Sequence, residues 1–168
     1  MAFTYGQRSM MRLDGVHPDL KRVFMHAIEA SPIDWMIVEG VRSREGCMVN
    51  WGKGRTASQL AAWNIPAQYA KPGLPKVTWL RDPFNSKHCK QADGFSHAVD
   101  ALPAPYDWKI EDPKATPEMD DNFAKMAVVI LQSASILQIP VRWGANWDGD
   151  TQFREKGETD NPHFELVG

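Results

Sequence analysis

The chain has 168 residues, of which 43% are apolar and 24% charged, and its formal charge is -2. A chain of this length suits one domain, expected over 1–168, and buries roughly two thirds of its unfolded surface, so it needs neither a disulfide nor a metal merely to fold. No Lys/Arg block stands out, which argues against a nucleic-acid binder. No run of about 18 apolar residues exists, which excludes an apolar membrane-spanning helix.

The opening Met1-Ala2-Phe3-Thr4-Tyr5-Gly6-Gln7-Arg8 lacks the apolar core of a signal peptide. The first clear element is a helix from Pro18 to Ala30. Leu20, Val23, Phe24, Ala27 and Ile28 recur on one face, proline suits the first turn, and Ser31-Pro32 ends it. Asp34 to Ser43 reads as a short strand with a bend at Gly40. From Arg44 to Phe84 the pattern is mixed: Thr56 to Trp63 is helical in character, and Pro66, Pro72, Gly73, Pro75 and Pro83 punctuate the rest.

His97 to Leu102 reads as a strand. Thr116-Pro117-Glu118 predicts a helix start, running to about Gln138 with Phe123, Met126, Ala127, Ile130, Leu131 and Leu137 buried. Val141 to Trp143 and His163 to Val167 complete the strands. The expected fold is α+β, a small mostly antiparallel sheet with helices packed on one face. Cys47 and Cys89 are expected to be free thiols in a chain made in the cytosol.

Two segments are dense in metal-competent groups, Ser86 to Asp100 and Asp160 to Leu166. Zinc takes imidazole nitrogen and carboxylate oxygen, and a catalytic site supplies three protein ligands and leaves a position for water. Two histidines and a carboxylate meet that need. A base must reach the proton it removes, and a turn through Asn161-Pro162 can aim Asp160 and His163 at one point.

Ser86-x-His88 followed by Ala98-Val99-Asp100, and the terminal Asp160-x-x-His163-x-Glu165-Leu166, resemble the zinc peptidases of the VanY-like D-Ala-D-Ala carboxypeptidase superfamily, whose fold the hedgehog signalling domain shares. The phage L-alanyl-D-glutamate endopeptidases, or endolysins, are the most similar branch. That branch also matches at Val38 to Ser43, at Trp143-Gly144-Ala145-Asn146-Trp147 and at Phe3-x-Tyr5-Gly6. The resemblance implies Zn2+ on His88, Asp100 and His163, Asp160 as the general base, Arg42 beside the oxyanion and Ser86 on the substrate. It implies peptidoglycan as the partner, with no nucleic acid, no membrane insertion and no separate wall-binding domain. The expected form is a monomer made in the host cytoplasm and acting on the wall once the membrane opens.

The sequence departs from the pattern twice. His88 and Asp100 stand twelve residues apart, further than is usual, which reads as an insertion within Cys89 to Ser96. His97 is then a rival first ligand, less favoured because residues three apart on a strand face opposite ways. Asn146 stands where related sequences often carry an aspartate that could orient a ligand histidine. His17 and His26 read as surface or boundary residues. Trp35, Trp143 and Trp147 read as packing, and Trp51, Trp63 and Trp79 as candidates for substrate contact. Asp148 and Asp150 suit a solvated acidic turn more than a calcium site. Competing functions are a D-Ala-D-Ala carboxypeptidase or dipeptidase, a non-catalytic metal-bearing module, and a metal-dependent nuclease.

Overall fold

The computed structural model describes residues 2–104 and 121–168. Two N-terminal helices come first, α1 (Gln7–Arg12) and α2 (Pro18–Ala30). The first was not foreseen: it is six residues long, and its buried residue is a serine, whose Ser9 hydroxyl accepts from the Ile37 N–H. In α2 the expected apolar face is buried. His17 is its N-cap, with ring Nδ1 accepting from the Asp19 N–H at 3.1 Å.

Four strands follow in the chain: β1 (Asp34–Glu39), β2 (Ala98–Ala104), β3 (Val141–Trp143) and β4 (His163–Leu166). They form one antiparallel sheet in the order β1-β2-β4-β3. Side chains alternate across a strand. Trp35 and Ile37, Val99 and Ala101, and Phe164 and Leu166 therefore point into the main core, where they meet α2 and α5 (Asn122–Leu137). Phe24 packs edge-on against Phe164 at 5.8 Å between ring centroids. The opposite face of β2 and β4 is left to carry Asp100, His163 and Glu165.

Asp121 caps α5 by accepting from the Ala124 N–H at 2.9 Å. The start expected at Thr116-Pro117-Glu118 lies outside the described residues. Gln138 closes the helix in the left-handed region, at φ +57°. The buried face includes Ala124, Ser133 and Ala134, while Leu131 and Leu137 are only partly buried. His26 reaches Ser133 Oγ at 2.9 Å, tying α2 to α5.

The mixed region holds α3 (Arg44–Gly52), capped by Ser43, and α4 (Ala57–Ala61), opened by a Thr56/Gln59 capping box. Trp51, Leu60 and Ile65 form a second small core, with Trp63 and Tyr69 packed against it. This corrects the expectation for Trp51, which is buried with its indole N–H on the Leu80 carbonyl; Trp63 packs edge-on against it and is partly buried. The thiol expectation is also corrected, since Cys47 and Cys89 form a disulfide. Separation along the chain said nothing of their proximity: α3 lies against the loop that carries Cys89.

Candidate metal centre

Three elements deliver the cluster. Asp100 on β2 and His163 on β4 are direct cross-strand partners. His88 comes from the loop before β2. Its backbone carbonyl accepts from the Arg42 N–H at 2.8 Å, which ties that loop to the end of β1. His88 Nε2 lies 3.1 Å from Asp100 Oδ1 and 3.2 Å from His163 Nδ1, and His163 Nδ1 lies 3.1 Å from the same Asp100 oxygen.

The outer nitrogens decide the tautomers. His88 Nδ1 sits 2.9 Å from the Gly40 carbonyl, which only accepts, so Nδ1 carries the hydrogen. His163 Nε2 sits 2.9 Å from Glu165 Oε2, so it likewise carries the hydrogen. In the neutral rings the lone pairs of His88 Nε2 and His163 Nδ1 therefore face each other and an Asp100 carboxylate oxygen. Three acceptors within 3.2 Å of one another repel unless a cation or added protons lie among them. The donor set fits zinc in type and number.

The electrostatics follow. Burial opposes ionisation of Asp100, but His163 and His88 outweigh it and hold its pKa well below the usual carboxylate range. Burial likewise opposes a charge on His163, yet Asp100 and Glu165 push its pKa up to about 9.

Glu165, which the sequence reading placed only within the terminal motif, orients His163. Its second oxygen accepts from Arg142 Nε and Nη2 at 2.9 and 2.6 Å, making a chain Arg142–Glu165–His163. Burial raises its pKa, but His163 and Arg142 bring it below the ordinary value. The signal was present in the spacing, because His163 and Glu165 are two apart on a strand and share a face. Asn146 does not take this part. Its amide donates to the Asp150 carbonyl and its oxygen accepts from the Gly149 N–H, closing a turn in which Asp148 and Asp150 also cap backbone N–H groups.

Asp160 lines the same cleft. The turn holds it, with the Asp160 N–H on the Gly144 carbonyl and the His163 N–H on the Asp160 carbonyl, at 3.2 and 3.1 Å. Gly144 permits the approach, since a Cβ there would lie 2.5 Å from the Asp160 carbonyl oxygen and 3.0 Å from His163 Cβ. Asp160 keeps part of its surface open to solvent, yet desolvation by the cleft walls raises its pKa, opposed by His163 and reinforced by Asp100.

Arg42 also lines the cleft. Glu39 clamps its guanidinium through both oxygens, and Nη1 donates to Ser86 Oγ at 3.4 Å. Burial alone lowers its pKa, and Glu39 with Asp100 and Asp160 more than reverses this.

His97 stands elsewhere. It contacts Asp93 at 2.7 Å and packs edge-on against His17. The chain loops out after His88 and closes where the His97 N–H meets the Lys87 carbonyl at 2.8 Å. That agrees with an excursion inserted between His88 and the strand.

An antiparallel sheet that carries a histidine and an aspartate on the floor of a cleft, joined by a second histidine from the adjoining loop and flanked by a further carboxylate and a clamped arginine, has the parts of a hydrolase. The family model described as Phage L-alanyl-D-glutamate peptidase matches residues 1–62 and 68–167, and the chain belongs to that family. The L-alanyl-D-glutamate peptidase of Escherichia phage T5 is 28% identical over 175 residues, spanning 99% of this chain and 100% of that one. The crystal structure of Serratia marcescens L-Ala D-Glu endopeptidase ChiX is similar at a TM-score of 0.58 and 26% identity, covering 99% of this chain and 90% of that one.

Proposed function

We propose that this protein is a zinc-dependent endopeptidase that cuts the L-Ala–D-Glu bond of the peptidoglycan stem peptide, and so opens the wall of a phage host. One observation carries the metal: His88 Nε2, His163 Nδ1 and Asp100 Oδ1 converge within 3.2 Å of one another, while the outer nitrogens of both rings are engaged elsewhere. Family membership supports the bond.

His88 Nε2, Asp100 Oδ1 and His163 Nδ1 would hold the ion. Bound there, zinc would supply Lewis-acid polarisation of the scissile carbonyl and activation of water. Asp160 takes the proton of the attacking water and passes it to the leaving D-glutamyl amine. Its raised pKa, from desolvation within the cleft, makes it a stronger base than a fully solvated aspartate, which suits the first transfer. The Arg42 guanidinium, held in orientation by Glu39, would face the negative charge that develops on the carbonyl oxygen. Ser86 Oγ, against Arg42 Nη1, is placed to hold the substrate backbone. The Cys47–Cys89 disulfide agrees with work in an oxidising compartment such as the one that borders the wall.

The test is digestion of purified peptidoglycan, followed by turbidity and by mass analysis of the products. New L-alanine carboxyl ends and D-glutamate amino ends are expected. Release of free D-alanine alone would make the protein a carboxypeptidase instead.

A further inference from the structure

The cleft, of about 990 Å³, has a second wall that the proposed chemistry does not use. The segment from Lys76 to Leu80 forms it, and the backbone there is fixed from behind. Arg55 is only 6% exposed and has no carboxylate partner among the described residues. Its guanidinium donates to the Trp51 and Thr78 carbonyls at 2.6 and 2.9 Å and lies over the Trp51 ring. The Trp51 indole N–H holds the Leu80 carbonyl. Gly54, at φ +70°, lets the segment come close, since a Cβ there would sit 2.7 Å from Lys76 Cγ.

What this braced wall presents is uncommon for a surface. Trp79 is 83% exposed, and the Lys76 ammonium lies 5.3 Å from its ring centroid. Lys53, also on the cleft, donates to Asn50 Oδ1. Neither lysine has a carboxylate partner among the described residues, whereas the carboxylates Asp100, Asp160 and Glu165 lie at the metal-binding end of the cleft. The cleft is thus divided: its carboxylates lie at the proposed reacting end, where Arg42 and Arg142 are already paired with glutamates, while the wall carries lysines without carboxylate partners among the described residues, Lys76 beside an indole.

A glutamate within a peptide carries two carboxyl groups and continues the chain through one of them. The substrate proposed above therefore bears a spare carboxylate on the leaving side of the scissile bond. We infer that Lys53 and Lys76 bind the stem peptide's free carboxylates on the D-glutamate side, with Trp79 packing against the same segment. The inference rests on the endopeptidase reading. A wall already rigid in the free protein loses little entropy on binding, so each contact counts more fully toward affinity.

The test uses two synthetic stem peptides, with the spare D-glutamate carboxyl free or amidated. For the wild type, amidation is expected to raise KM roughly tenfold or more with little change in kcat, as loss of a charge-assisted hydrogen bond implies. The Lys53→Ala/Lys76→Ala double variant should show that higher KM on both peptides. Lys53→Arg/Lys76→Arg should restore the discrimination, and Trp79→Ala should raise KM for both substrates. Zinc content should stay at the wild-type level in all of them. A double variant that still prefers the free acid as the wild type does, or a wild type that treats the two peptides alike, overturns the inference. If the wild type cleaves neither peptide nor purified peptidoglycan, the endopeptidase reading itself has failed.

Discussion

The inner ring nitrogens of His88 and His163 face each other at 3.2 Å, and both outer nitrogens are committed as donors. This pair holds a cation or carries added protons. Purified protein is accordingly expected to contain about one zinc per chain. His88→Ala should lose the metal and the activity, while His97→Ala, which removes a contact to Asp93, should keep most of both. Metal analysis after dialysis decides the matter, and a zinc-free active enzyme would refute the assignment.

Asp160 is assigned to proton transfer and not to the metal. Asp160→Asn should keep zinc yet lose roughly 10²–10⁴-fold in kcat. His163→Ala, three residues away, should lose both. Should Asp160→Ala prove as metal-free as His163→Ala, Asp160 is a ligand or supports one.

Desolvation in the cleft raises the pKa of Asp160, so its contribution to stability is complete below the ordinary carboxylate range and is lost as pH rises through the shifted value. In chelator-treated protein near neutral pH, Asp160→Asn should therefore melt no lower than the parent. The parent should gain on the variant as the solution is acidified. Melting curves at several pH values read this directly, and a variant clearly less stable at neutral pH would contradict it. In the loaded enzyme, the acid limb of the rate profile should follow ionisation of this group.

Glu165 fixes the ring of His163 and is itself held by Arg142. Glu165→Gln should weaken zinc binding about 10–100-fold, as loss of such support typically does. Competition against a zinc chelator gives the affinity. Unchanged affinity would mean that the ring is held by packing alone, for instance by Trp147, whose ring centroid lies 5.5 Å away.

The disulfide joins α3 to the residue after His88 across a sequence separation of 42. Closing a loop of that length restricts the unfolded chain, an effect worth about 2–4 kcal/mol. Reduction, or Cys47→Ser, should lower the melting temperature by several degrees and ease loss of zinc from the loop that carries His88. Identical melting with and without reductant would show that the bond adds nothing.

Much of this molecule was legible in the residues themselves. The 3.6-residue spacing in α2 and the alternation in β2 and β4 are local consequences of backbone geometry, so the helix, the strands and the face bearing Asp100, His163 and Glu165 could be read directly. The choice of His88 over His97 also rested on that alternation, and the two histidines do separate. Three things had no local signature. The Cys47–Cys89 bond depends on how α3 meets a loop some forty residues later. The burial of Trp51, with Trp63 packed against it, depends on a small second core gathered from short, weakly patterned helices. The divided charge of the cleft depends on Arg55 pulling the Thr78 carbonyl inward, so that Lys76 and Trp79 stand on the same cleft as His88. Chemistry-bearing residue types and their faces are written in short-range spacing, whereas which of them share one space is set by long-range packing, where no periodicity along the chain reports on distance.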